Sequence, residues 1–174
     1  RRNMSEIIHY PNGTVYTGTP LDRQGIGQGT LQGPWGHYRG QVRHGKAHGR
    51  GVLKETDGTI LEGNFENDWL HGQGSAKYQD GFYVGEFQNG RPSGQGTCIW
   101  RDGKWYEGQW LDGKRHGQGH FKNGDFEYIG GWKDDRKHGQ GFEKFGSGQT
   151  FEGTFKKDKR HGRGCYTWPS GAKQ

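Results

Sequence analysis

Five histidines recur in one setting: His48, His71, His116, His138 and His161 each precede the first glycine of a Gly-x-Gly pair. Regularly spaced imidazoles could hold a metal, but zinc needs four ligands converging at ~2.0–2.1 Å. If each histidine belongs to one hairpin, neighbours stand roughly 9–10 Å apart, two strands from each other. Two rings could lean together, yet the column cannot supply four ligands. The expected role is a repeated turn-shaping residue, with no metal and no cofactor. Cys98 falls two residues after its Gly-x-Gly pair and Cys165 one residue after. They should face opposite sides of a sheet, about six strands or ~29 Å apart, which excludes an intramolecular disulfide. Unpaired cysteines, with no apolar run after Arg1-Arg2, point to a reducing cytoplasm.

Nucleophile and phosphate motifs fail in turn. There is no Gly-x-Ser-x-Gly, and Gly45-Lys46 and Gly113-Lys114 are followed by Ala47 and Arg115 rather than by the Ser or Thr of a P-loop. No enzyme is expected. Basic residues gather at Lys114-Arg115, at Arg136-Lys137, and at Lys156-Lys157 with Lys159-Arg160. Placed in loops along one edge, they could touch anionic lipid or an acidic partner, although Asp112, Asp134, Asp135 and Asp158 stand among them. The net charge of +6 is spread along the chain, unlike the sharp basic focus of a nucleic-acid binder, so no nucleic acid is expected.

These residues need a frame, and composition alone argues against one. Glycine accounts for 36 of 174 residues, while Leu, Ile, Val and Phe together make 25, a share typical of disordered chains. Phase reverses that reading. Tyr-x-Gly-like triplets end at Gly18, Gly40, Gly63, Gly85, Gly108, Gly130 and Gly153, and a Gly-x-Gly pair closes eleven residues after each. Each copy reads as a hairpin. Tyr83, Gly85 and Phe87 alternate with Val84 and Glu86, residues 88–93 form a loop, Gly96, Cys98 and Trp100 alternate again, and Asp102-Gly103 turns into the next copy. Rings flank the triplet glycine, as in Tyr106 and Trp110 or Tyr128 and Trp132. An aromatic lying over bare glycine backbone restores the packing that a strand glycine lacks. The spacing of triplet glycines alternates 22 and 23, with Glu62, Glu107 and Glu152 in alternate triplets, which predicts a structural period of two hairpins.

The run Tyr106-Glu107-Gly108-Gln109-Trp110-Leu111-Asp112-Gly113-Lys114-Arg115-His116-Gly117-Gln118-Gly119 resembles the MORN repeat. The resemblance covers roughly residues 10–171 in seven phased copies, the first degenerate at Pro20 and the second at Val42. It implies an all-β fold: an elongated, open-ended single-layer antiparallel sheet of consecutive hairpins. Residues 1–13 would be part of a preceding hairpin, 14–171 one array, and 172–174 a truncated tail. The resemblance also implies non-enzymatic scaffolding where cytoskeleton meets membrane. The expected binding surface for a cytoskeletal or motor-associated protein or peptide is the aromatic face: Tyr83, Phe87, Trp100, Tyr106, Trp110, Tyr128 and Trp132. Most rings in such a row are expected to be core. The alternative is a peripheral membrane module binding anionic phospholipid through Lys114, Arg115, Arg136, Lys137, Lys156, Lys157, Lys159 and Arg160. Tyr166 and Trp168, at an open C-terminal edge, would support a homodimer. Carbohydrate binding by exposed rings is a weaker third reading. The expected location is cytoplasmic, with the cytoskeleton or a membrane.

Overall fold

Two kinds of turn, used alternately, shape this chain. The computed structural model describes residues 4–170; the turn glycine expected at 171 and the tail 172–174 lie outside them. Within the described residues there are fifteen strands and no helix: β1 (Glu6–His9), β2 (Val15–Gly18), β3 (Ile26–Gly33), β4 (Gly36–Arg43), β5 (Lys46–Glu55), β6 (Ile60–Glu66), β7 (Trp69–Lys77), β8 (Gly81–Gln88), β9 (Arg91–Trp100), β10 (Trp105–Leu111), β11 (Lys114–Asn123), β12 (Phe126–Lys133), β13 (Arg136–Lys144), β14 (Thr150–Lys156) and β15 (Lys159–Thr167). They form a single open antiparallel sheet in sequence order. Packing divides the described chain into a first unit, residues 4–79 with 86–91, and a second unit, residues 80–85 with 92–170.

The loop expected over residues 88–93 is only Asn89-Gly90, because β8 runs to Gln88 and β9 starts at Arg91. Its equivalents are His44-Gly45, Asn67-Asp68, Asp112-Gly113, Asp134-Asp135 and Lys157-Asp158, and every one of these residues has positive φ. Two consecutive left-handed residues make the hairpin turn whose twist matches that of the strands, so two residues suffice. The basic residues beside these turns therefore sit mostly on strands.

At the opposite strand ends, longer turns begin at Tyr10, Glu55, Trp100 and Phe145, 45 residues apart. In each, the first amide donates to the fifth carbonyl, as Trp100 N does to Lys104 O at 2.9 Å. A side chain at the third position accepts the fifth amide: Asn12 from Thr14, Asp57 from Thr59, Asp102 from Lys104, and Ser147 from Gln149. Between them fall tighter connections such as Pro34-Trp35 and Gly124-Asp125. The longer turn precedes Glu62, Glu107 and Glu152, the two-hairpin period that the glycine spacing predicted.

Glycine sets the register. In β10 and β11 the pair Gly108↔Gly119 faces across, and Gly119 pairs again with Gly130. The Tyr106 ring covers this bare backbone so closely that a Cβ on Gly119 would fall inside it. Its hydroxyl donates to Gln109 O at 2.8 Å, as Tyr38 does to Gln41 O and Tyr128 to Gly131 O. Those carbonyls lie at an irregularity: from Gly108 to Trp110 β10 advances two residues, while β11 advances four, from Arg115 to Gly119. His116-Gly117-Gln118 thus stand opposite Gln109 alone, two residues in surplus, in a bulge with Gly117 at φ +67°. Gln109 Oε1 accepts the Gln118 amide at 2.7 Å. The histidine column thus lies on bulges.

Candidate partner-binding face

The inner rings are packed. Tyr83, Phe87, Tyr106, Trp110, Tyr128 and Trp132 are all buried, Trp110 being the most open at 8% exposure. In the second unit they meet edge to face: Tyr83–Trp110 at 5.3 Å, Tyr106–Trp132 at 5.2 Å, Tyr128–Phe155 at 5.1 Å and Phe151–Phe155 at 5.7 Å. Such pairs add about 0.5–1.5 kcal/mol beyond area burial. Trp110 and Trp132 donate their indole N–H to Gly96 O and Gly119 O, at 3.0 and 3.3 Å. Burial pushes the hydroxyls of Tyr38, Tyr106 and Tyr128 well above the usual tyrosine range. Of the seven rings expected to meet a partner, six are in the core and Trp100 alone is half-exposed.

Strand register then places a second column on the same face: Leu31, Leu53, Ala76, Cys98, Phe121, Glu143 and Tyr166 each lie opposite an inner-row residue. Cys98 is buried there, and burial raises its thiol to about 11, with Asp80 adding to the shift and Arg115 opposing it. Cys165 faces Glu152 on the other side and is exposed. Glu143 is a carboxylate at a ring position, 4% exposed.

A third column, two residues past each two-residue turn, reads Ala47, Leu70, Pro92, Arg115, Lys137, Arg160. Its three cations belong to the second unit and lie over rings. Arg115 is 4.6 Å from the Trp132 centroid, Lys137 is 4.8 Å from Phe126, and Arg160 is 4.6 Å from Phe151. Lys137 Nζ and Arg160 Nε each reach Glu143 at 3.0 Å, and Arg115 Nε reaches Asp135 at 3.2 Å. This corrects the picture of a basic loop edge: these three side chains cover the aromatic face and are already paired. Strand alternation turns Lys114, Arg136 and Lys159 outward beside them, where, with Lys156 and Lys157, they are exposed. Arg136, Lys156, Lys157, Lys159, Arg160 and His161 ring a depression of about 420 Å³.

The same column stitches neighbouring hairpins. Asp135, second in its turn, accepts the Arg115 amide at 2.8 Å and returns its own amide to Arg115 O at 3.1 Å. Asp158 does this for Lys137, and Asp68 for Ala47. Asp68 contributes in the first unit to a different feature. There the short Ala47 leaves a groove of about 530 Å³, lined by Tyr10, Trp35, Tyr38, Glu55, Asp68 and Trp69 among others. Trp35 is 39% exposed and Trp69 60%. The Tyr10 ring reaches across to pack on Gly45. Burial, and then Asp57, pushes the Glu55 carboxyl above its ordinary value. Among the described residues no three metal-ligating side chains come together.

The sequence profile of the MORN repeat matches residues 38–60, 62–81, 83–105, 106–126, 128–150 and 151–173. The chain belongs to the MORN repeat family. The matched MORN copies number six; the degenerate copy around Gly18 is not matched, yet it still forms β2 and β3, paired through Gly18↔Gly29. No curated protein matches the chain. Among solved structures, the TCP domain of SAS-4 from Drosophila melanogaster, in complex with a proline-rich motif of Ana2, shares 12% identity at a TM-score of 0.48, covering 98% of this chain and 87% of that one. A mutant of the TCP10 domain of Danio rerio CPAP shares 13% at 0.40, covering 98% and 86%.

Reading the MORN copies as sequence misses the groove, because its outer rings occupy turn and strand-end positions that the repeat does not fix. The signal present was Ala47, the smallest side chain of its column. Tyr166, at the last described strand, is half-buried with its ring 4.8 Å from Phe151, and Trp168 is 38% exposed.

Proposed function

We propose that this MORN array is a non-catalytic scaffold that holds a protein partner on its ring face, through the groove of the first unit. The observation that carries the reading is the groove itself, where exposed indoles and a tyrosine stand on a fixed sheet. Rigid aromatics offer large contact area at low entropic cost. The partner we assign is a cytoskeletal or motor-associated segment, extended or helical, at a membrane–cytoskeleton junction. The buried rings serve as the floor, and Trp100 is the member of the original set left to contact a partner. A photo-crosslinking residue replacing Trp69 tests this in cells. Crosslinks concentrated on a cytoskeletal protein support it. An adduct pattern identical to that from the same residue at Ile129 refutes it.

A second reading rests on the basic depression. Arg136, Lys156, Lys157 and Lys159 would bind an anionic membrane surface, each contributing about 1 kcal/mol near it. Flotation with liposomes containing or lacking anionic lipid, at two salt concentrations, decides it; binding indifferent to lipid charge removes it. A homodimer through Tyr166 and Trp168 is read by light scattering, and a monomer mass at high concentration removes that contact.

A further inference from the structure

We infer that the groove of the first unit takes a basic side chain, arginine or lysine, from the partner segment, and that the second unit displays in itself the geometry of that contact. This rests on the scaffold reading above. In the second unit the third column places Arg115, Lys137 and Arg160 on aromatic rings, with a carboxylate at salt-bridge distance of each. Two full periods separate Lys137 from Ala47. Tyr128 is matched by Tyr38, Phe155 by Phe65, and the stitching Asp158 by Asp68. Phe126 is replaced by its near neighbour in register, Trp35, which stands in the adjoining turn. Tyr38 and Phe65 are themselves buried, so the ring faces open in the groove are those of Trp35, Trp69 and Tyr10, and the column supplies no cation over them.

A carboxylate is retained as well. Leu53 stands where Glu143 does, but Glu55, two residues on, lines the same groove. Among the described residues no cation lies at salt-bridge distance of Glu55. Partial burial, and then the neighbouring Asp57, raise its carboxyl above the ordinary value. Lys46 and His44 also line the groove, but both are exposed and neither pairs with Glu55 or Asp68. A cation entering from outside would find the indoles of Trp35 and Trp69 and the Tyr10 phenol together with an unpaired carboxylate, the same two kinds of attraction that hold Arg115 in place. Arginine suits the indole best, since its plane both stacks and donates in a fork.

The test uses three short peptides of equal length, acetylated and amidated, that differ at one central residue: arginine, its neutral isostere citrulline, or glutamate. Binding to the 174-residue chain is followed by calorimetry and by the Trp35 and Trp69 indole signals in NMR. The arginine peptide should shift both indoles, and citrulline should bind about tenfold more weakly or worse. Ala47→Lys, which installs the lysine found at position 137, should fill the groove and abolish the shifts. Glu55→Gln, nearly isosteric, should weaken arginine binding by a similar factor and leave citrulline binding unchanged. Equal binding of arginine and citrulline, or wild-type binding by Ala47→Lys, overturns the inference. Shifts from all three peptides alike would sink the charge preference and leave the scaffold reading standing. So would crosslinks from position 69 to a partner when no peptide binds. Failure of both peptide binding and crosslinking removes both readings.

Discussion

Replacing Glu143 by leucine tests whether the cation row is a stabilising device of the second unit. The carboxylate is 4% exposed and accepts from Lys137 and Arg160 at 3.0 Å each. Without it, two cations remain over apolar rings. Their exposures differ: the Lys137 side chain is 18% exposed and the Arg160 side chain 37%. Arg160 can turn to water, so its share is that of a surface pair, about 0–1 kcal/mol. Lys137 cannot turn so freely, and a charge-assisted bond at a mostly buried site is worth about 1.5–3 kcal/mol. Together Glu143→Leu should cost about 1.5–4 kcal/mol. The first unit supplies the control, since it holds Leu53 and Ala47 at the corresponding places. Glu143→Leu with Lys137→Ala transplants that pair and leaves no buried lysine unpaired. The double variant should therefore cost less than the two singles summed, with a coupling of about 1.5 kcal/mol or more. Urea unfolding followed by tryptophan fluorescence reads the midpoints, with slopes compared to confirm a common unfolded state. A loss below about 0.5 kcal/mol for Glu143→Leu, or strict additivity, would refute the reasoning.

Three further outcomes follow from the same geometry. Asp135→Ala removes the acceptor for the Arg115 amide and puts a Cβ-bearing residue without a helpful side chain at positive φ, so it should cost about 1–3 kcal/mol; Asp135→Gly, which relieves the φ, should cost less, and hydrogen exchange at the Arg115 amide should rise in both. Gly119→Ala pushes a methyl into the Tyr106 ring and should lower stability by about 1–3 kcal/mol, while Gly113→Ala, where no atom lies near, should show only the backbone penalty; equal losses would contradict aromatic cover as the reason for glycine at 119. Maleimide at pH 8 should label exposed Cys165 and spare Cys98, whose thiol is raised to about 11 from 9.0; because the folded thiol holds its proton to higher pH than the unfolded one, this group subtracts stability as pH climbs from 9 towards 11, and an alkaline melt of Cys98→Ala should be flatter there.

Much of the frame was legible because glycine phase and strand register are one fact seen twice. Gly108, Gly119 and Gly130 are eleven residues apart in sequence and adjacent across the sheet. Their ring covers follow, Tyr106 lying over Gly108 and Gly119 and Tyr128 over Gly130. The two-hairpin period was legible for a similar reason: one extra residue in a turn must show in the spacing. Less legible was the shortness of the turns at Asp134-Asp135 and Lys157-Asp158. Neither carries the glycine that usually marks two left-handed residues, so sequence alone places Arg136 and Lys159 in loops. Aspartate is tolerated there because its carboxylate takes up an amide of the preceding hairpin. That partner lies about twenty residues upstream, and no local rule points to it.

The division between core and binding surface was illegible for a deeper reason. A one-layer sheet has no second layer to cover its rings, so whatever lies over them must come from long side chains on the same face or from another molecule. In the second unit the cover is internal: Arg115, Lys137 and Arg160 place their charged ends and stems on the aromatic row. In the first unit Ala47 provides no such cover; Tyr38 is closed by its neighbours, and the exposed indoles of Trp35 and Trp69 border the groove beside Ala47. The same repeat therefore yields a closed stretch and an open one through the length of one side chain per hairpin. Residue type at that single column, rather than the number of rings, sets where the ring face is covered by its own chain. Lengthening Ala47 should close the groove, and shortening Lys137 together with Glu143 should open a second one between Phe126 and Phe155.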